Sequence, residues 1–184
     1  MKSKGMVAIA MIAVALACAQ PAKSPEVGKY ALKVPGGLDF SEFKGYEDWS
    51  LVSASQDGPA MAAILGNPEM IKAYRSGIPG NGKPFPDGAR FAKVHWNPTK
   101  LATFPAATVP GRQHDVDFMV KDSKRFADSG GWGYAVFEYD TVSNTFRPGT
   151  TSDAPPQGND AKCGFACHTI VKNSDYVFTQ YGAR

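Results

Sequence analysis

Apolar and polar positions along this chain fall into short alternating runs, and they predict several strands with one clear helix. Residues 46–53 alternate, with Trp49 and Leu51 on one face. The helix follows, with Asn67 as N-cap, Pro68 at its first position, Gly77 just past its end and an apolar stripe of Met70, Ile71 and Tyr74. Residues 79–88 are a loop rich in Pro and Gly, closed by the turn Pro86-Asp87-Gly88. Residues 89–96 alternate as a strand. Phe91, Lys93 and His95 share one of its faces, and Arg90, Ala92, Val94 and Trp96 share the other. Residues 97–111, with prolines at 98, 105 and 110, read as an irregular connector. Two more strands are expected at 115–121, where Val116, Phe118 and Val120 oppose Asp117 and Met119, and at 131–140, which is rich in aromatics. Residues 146–162 are a second polar loop. The pattern predicts a β-rich α+β domain: an antiparallel sheet, one clear helix and long loops.

The N-terminus adds a leader. Lys2 and Lys4 precede an apolar run from Met6 to Ala17, and small residues follow at Ala15, Ala17 and Ala19, the pattern of a secretory signal peptide over residues 1–19. Export to the periplasm is the expectation. Ala15-Leu16-Ala17-Cys18 also resembles a lipobox, which would instead tether the chain to a membrane at Cys18. Residues 20–44 read as a spacer, polar and Pro/Gly-bearing up to Gly37, and residues 45–184 as the functional domain.

The whole chain carries 20 basic and 17 acidic residues, and loss of Lys2 and Lys4 leaves 18 basic. A balance so close to neutral gives no reason to expect nucleic acid or a charged membrane surface as a partner. A mature chain of about 165 residues suffices for one domain with its own core.

Candidate chemistry concentrates at Cys163-Gly-Phe-Ala-Cys167-His168. Two thiols followed at once by an imidazole suit covalent attachment of a c-type haem, with the histidine as iron ligand. The usual spacing is C-x-x-C-H. The extra residue here calls for a wider turn, for which Gly164 has the conformational freedom. Two other readings stay open: a short disulfide between Cys163 and Cys167, or part of a zinc site completed by His95, His114 or a carboxylate. No methionine follows His168, so a second axial ligand would come from upstream: Met61, Met70, Met119, His95, His114 or Lys93. Without one, the iron has an open face for ligand chemistry.

Several segments resemble the cytochrome P460 family, which includes the cytochromes c-prime-beta. They are Asn81-Gly-Lys-Pro-Phe-Pro-Asp-Gly88, Val120-Lys-Asp-Ser-Lys-Arg-Phe126, Gly131-Trp-Gly-Tyr134, the Cys163–His168 motif and Asp175-Tyr-Val-Phe-Thr179. The resemblance runs from about Gly45 to the C-terminus. It implies a homodimer of mostly antiparallel sheet, with one covalently attached haem c per chain and His168 as the proximal iron ligand. It also implies a distal pocket for a small nitrogen-containing ligand or substrate. In the hydroxylamine-oxidising branch a lysine eight residues after the phenylalanine of an F-x-D-G turn is cross-linked to the haem rim. Counting on from Phe85 gives Lys93. A distal carboxylate four residues before the first lysine of K-D-S-K-R-F falls on Asp117, where the family has glutamate. The c-prime-beta branch instead caps the distal face with phenylalanines, for which Phe91 and Phe118 stand as candidates.

Two functions of different classes follow. One is a haem oxidoreductase acting on hydroxylamine or nitric oxide, with Lys93 and Asp117 as catalytic residues. The other is a nitric-oxide-binding or electron-transfer cytochrome without turnover. The chain does not point to a redox partner protein. Lys121 and Arg125 could hold haem propionates, or simply form salt bridges.

Overall fold

The computed structural model describes residues 28–149 and 161–182. The expected leader, the lipobox cysteine Cys18, the start of the spacer and most of the second polar loop lie outside the described residues.

Six strands run in chain order as one antiparallel sheet: β1 (Ser50–Asp57), β2 (Ala60–Gly66), β3 (Arg90–Leu101), β4 (Phe104–Lys121), β5 (Trp132–Asp140) and β6 (Thr145–Pro148). Helix α1 (Pro68–Arg75) joins β2 to β3, and α2 (Ala161–His168) precedes a short 3-10 stretch, Thr169–Ser174. The β-rich α+β class is therefore what the sequence predicts. The α1 signals also hold: the Asn67 side chain accepts from the Met70 N–H at 3.0 Å, and Gly77 follows at φ +89°.

Several elements differ from expectation, among them β6 and α2, which take up both ends of the expected 146–162 loop. Residues 46–48 form a 3-10 turn rather than the start of a strand, so β1 begins at Ser50. Strand β2 escapes a search for alternation because Ala-Met-Ala-Ala-Ile-Leu-Gly is apolar throughout. The connector 97–111 is an extension of the β3–β4 hairpin, with Pro98 opposite Pro110. A ribbon of two strands has free outer edges, where a missing N–H breaks no ladder bond. It is also largely exposed, so it carries no burial pattern to read.

Each face of the sheet has its own cover. Against one face lie residues that belong to the expected spacer: Val34, Leu38, Phe40 and Phe43 are buried with Ala92, Val94, Val116, Phe118 and Phe137. The segment from Gly28 onward is thus part of the domain, and each fully buried phenylalanine contributes roughly 2–3 kcal/mol. Against the other face pack α1, through Met70, Ile71 and Tyr74, and the C-terminal segment, through Phe165 and Val177. Alternation decides which residues look which way. Phe91, Lys93 and His95 face the C-terminal segment, as do their partners Met119, Asp117 and Asp115.

Candidate functional site

The Cys163–His168 motif occupies α2. On a helix, residues three and four apart share a face, so one turn accommodates the longer spacing as well as the shorter one. The wider turn expected from Gly164 does not occur. Its role is close approach: a Cβ at Gly164 would lie 2.9 Å from the Tyr134 side chain, so glycine lets α2 sit directly on β5. Both cysteines are exposed free thiols, which removes the disulfide reading from this structure. The zinc reading finds no support either. Among the described residues the ligand cluster is His95, Asp115 and Asp117, without a cysteine.

His168 is held from three sides. Its Nδ1 lies 2.6 Å from the Tyr176 carbonyl, and its ring is 5.3 Å from the Tyr134 ring and 5.0 Å from the Phe178 ring. A carbonyl accepts only, so Nδ1 carries the proton and Nε2 presents its lone pair, the tautomer a metal-ligating histidine needs. Burial holds its pKa below the usual histidine range; the Tyr176 hydrogen bond opposes this and nearby Lys93 reinforces it. The imidazole is neutral at pH 7.

His168 borders a cavity of about 350 Å³, within the range of small-molecule sites, together with Lys93, Asp117, Phe91 and Met119. Lys93 and Asp117 are direct partners across β3 and β4. The Asp117 carboxyl is pushed up to about 6 by burial and then by the charge of Asp115, against the pull of His95 and Lys93. Its side chain is still 40% exposed, because it opens into the cavity while protein encloses its other sides. Of the upstream groups considered as a second axial ligand, Lys93 and Met119 border this cavity.

Phe118 cannot cap the distal face. It pairs with Ala92, one register position off Phe91, so its ring points to the opposite core and stacks on Phe43 at 4.0 Å and 8°. Phe91 remains on the cavity side, packed with Tyr74, Phe85 and Trp132. The two propionate candidates are engaged elsewhere. Buried Lys121 donates to Asp175 at 2.7 Å and to the Gly130 carbonyl at 2.9 Å, and Arg125 donates to Glu42 and to the Gly37 carbonyl, each at 2.8 Å.

The residues that orient His168 lie in segments quoted from the sequence without a role given to them. Asp175 also accepts from the Phe85 N–H at 2.7 Å, so one carboxylate ties the C-terminal segment to β4 and to the 79–88 loop. That places the Tyr176 carbonyl against His168. The segment Asp175-Tyr-Val-Phe-Thr179 was the available signal. Asp115 was missed too: it bonds His95 through one oxygen and His114, at 2.6 Å, through the other.

The donor set fits haem. One neutral imidazole with a free Nε2 borders an apolar-walled cavity, and two free thiols sit on the same short helix. The family model for cytochrome P460 matches residues 43–179. No curated protein matches the chain.

Proposed function

The chain belongs to the cytochrome P460 family of haem cytochromes, and on that premise we propose that it is a periplasmic c-type cytochrome that oxidises a small nitrogen species, hydroxylamine or a close relative. Cys163 and Cys167 hold one haem per chain covalently, His168 ligates its iron through Nε2, and two chains form a homodimer.

The observation that carries the choice of an enzyme over a gas carrier is Asp117. A site for binding nitric oxide alone favours an apolar lining. This cavity holds a carboxyl raised to about 6, and the ring of Phe118, one of the two expected apolar caps, stacks on Phe43 in the opposite core. Oxidation of hydroxylamine releases a proton with each electron withdrawn. A base with a pKa near 6 takes such protons at neutral pH and can release them again. Haem, when bound, supplies an iron that binds the nitrogen and accepts electrons.

The chain's own residues supply the rest. His168 keeps one ring nitrogen available because Tyr176 engages the other. Tyr134 and Phe178 fix its plane. Asp117 receives protons, and Lys93 stands opposite it with an amine that can bond the macrocycle edge.

The test is steady-state oxidation of hydroxylamine by the protein matured in a host competent for cytochrome c assembly, with an artificial electron acceptor. Turnover that collapses in Asp117→Asn while haem content is unchanged supports the reading. Stoichiometric nitric oxide binding with no hydroxylamine turnover would replace it with the gas-binding one.

A further inference from the structure

Asp117 is the inner end of a line of polar groups that leads away from the cavity. Its Oδ2 lies 3.8 Å from His95 Nδ1, and one oxygen or nitrogen from each of His95, Asp115 and Asp117 falls within 4.8 Å of the others. Asp115 bonds His95 through Oδ1 and His114 through Oδ2, the latter at 2.6 Å. The His114 side chain is 61% exposed and borders a separate polar recess of about 270 Å³.

The backbone explains why two histidines meet one carboxylate. In the β3–β4 ladder His95 pairs with Asp115, but the next residue, Trp96, pairs with Gln113. His114 is the extra residue of a β-bulge. A regular strand would send it to the face opposite Asp115; the bulge turns it back alongside. Bulges re-aim side chains, and this one brings an exposed imidazole against a half-buried carboxylate.

We propose that Asp115 and His114 form a proton route between Asp117 in the cavity and bulk solvent, with His95 as the residue that positions Asp115. The route rests on the reading of Asp117 as the cavity's proton acceptor.

The steps balance. The protonated Asp117 carboxyl gives its proton to Asp115 through one water, which the separation of the two groups admits. At rest His114 donates its Nδ1–H to the Asp115 carboxylate. The exposed ring shifts that proton to Nε2 through solvent, and Asp115 passes the incoming proton from Oδ2 to the bared Nδ1. The imidazolium then loses its Nε2 proton to solvent, which leaves Nδ1–H against the carboxylate as at the start. Asp115 carries the proton only in passing. Burial works to raise its carboxyl, but the His95 contact, followed by the His114 contact, outweighs this and holds it below the usual carboxylate range. The open side of Asp117 faces the cavity, so a group held there would leave this line as its path outward. Of the other charged groups nearby, Lys93 and Asp57 border the cavity with Asp117, and Glu138, opposite Asp115 on β5, is paired with Arg147.

The experiment follows the Asp117 proton itself, without substrate, in the haem-loaded protein. A pH jump across about 6 is read by time-resolved infrared at the carboxyl C=O band, assigned by its loss in Asp117→Asn. His114→Ala should slow the response on the order of a hundredfold, the low end of what a positioned proton carrier contributes. A morpholine buffer, which carries protons but does not ligate iron, should restore it. Asp115→Asn should slow the response without rescue by buffer at the same concentration, because the inner step is lost. An unchanged rate in His114→Ala overturns the route, and so does a slowed rate that buffer fails to rescue, which marks His114 as structural. Failure of hydroxylamine turnover leaves this readout intact and counts against the proposed function alone.

Discussion

Lys93 on β3 and Asp117 on β4 stand directly opposite each other, and both border the cavity that His168 enters from α2. Cross-strand partners on one face lie with Cβ atoms about 5 Å apart. The amine and the carboxyl therefore act on the same small volume, and the Lys93 charge helps hold the Asp117 proton affinity down.

The first prediction concerns that lysine. If its amine is bonded to the macrocycle, tryptic digestion of the haem-loaded protein yields Lys93 and the Cys163–Cys167 segment joined through one haem. The absorption band of the reduced protein then lies well to the red of an ordinary c-type spectrum. Lys93→Ala should give the ordinary spectrum with haem still held by the two cysteines. A free Lys93 peptide from the wild-type protein would remove the cross-link from the proposal.

Asp117 gives a pH dependence whose sign is fixed. Its carboxyl is raised from 3.8 to about 6, so below about 6 it already holds a proton and cannot accept another. Turnover should rise with pH through about 6 and level off above. Asp117→Asn should abolish that rise and lower kcat by roughly 10²–10⁴. Stability runs the other way. A raised folded pKa favours the protonated form, so its contribution is full below about 3.8 and is lost as pH climbs through about 6. Denaturant titrations at pH 4 and pH 7 should show a loss in the wild type that Asp117→Asn lacks.

What the sequence showed of this site follows from what strands and helices encode. Period-two alternation put Phe91, Lys93 and His95 on one face of β3, and their shared face holds in the structure. The same rule within 115–121 sets Phe118 on the face opposite Asp117, so a distal place for Asp117 already turned Phe118 away. Strand β2 and the ribbon beyond His95 were hidden, one by uniform apolarity and the other by exposure. The Tyr176 carbonyl was out of reach altogether: a backbone acceptor carries no residue-type signature, and its placement depends on Asp175 meeting Lys121 from 54 positions away.

That long-range pair gives the third prediction. Lys121 is buried and Asp175 half-buried, and Asp175 also satisfies the Phe85 N–H. Removing one partner leaves a buried charge uncompensated, which costs about 3–5 kcal/mol. Lys121→Met and Asp175→Asn should each lower stability on that scale in chemical denaturation, while the double variant should lose less than the two added together. Because Asp175 sets the Tyr176 carbonyl, Asp175→Asn should also loosen the proximal histidine. The electronic spectrum of the iron should report this, whereas Lys29→Met at the far end of the fold should leave it unchanged.

Gly164 sets two opposing effects against each other, and their magnitudes decide the outcome. Replacing a helical glycine with alanine usually stabilises a helix by about 1 kcal/mol. Here the new methyl would sit 2.9 Å from the Cβ, Cγ and Cδ1 of Tyr134, the fixed base of a side chain anchored in β5 rather than a flexible tip. Overpacking of that kind costs roughly 1–3 kcal/mol, so Gly164→Ala should be neutral to destabilising and Gly164→Val clearly destabilising. The backbone can respond only by lifting α2 off the sheet. That would widen the 5.3 Å spacing of the Tyr134 and His168 rings and draw His168 Nδ1 away from the Tyr176 carbonyl. Haem attachment in a maturation-competent host should fall in the order wild type, alanine, valine, read as the fraction of chains carrying haem in intact-mass spectra. A valine variant with full haem content and unchanged melting temperature would show that α2 does not need to lie this close to β5.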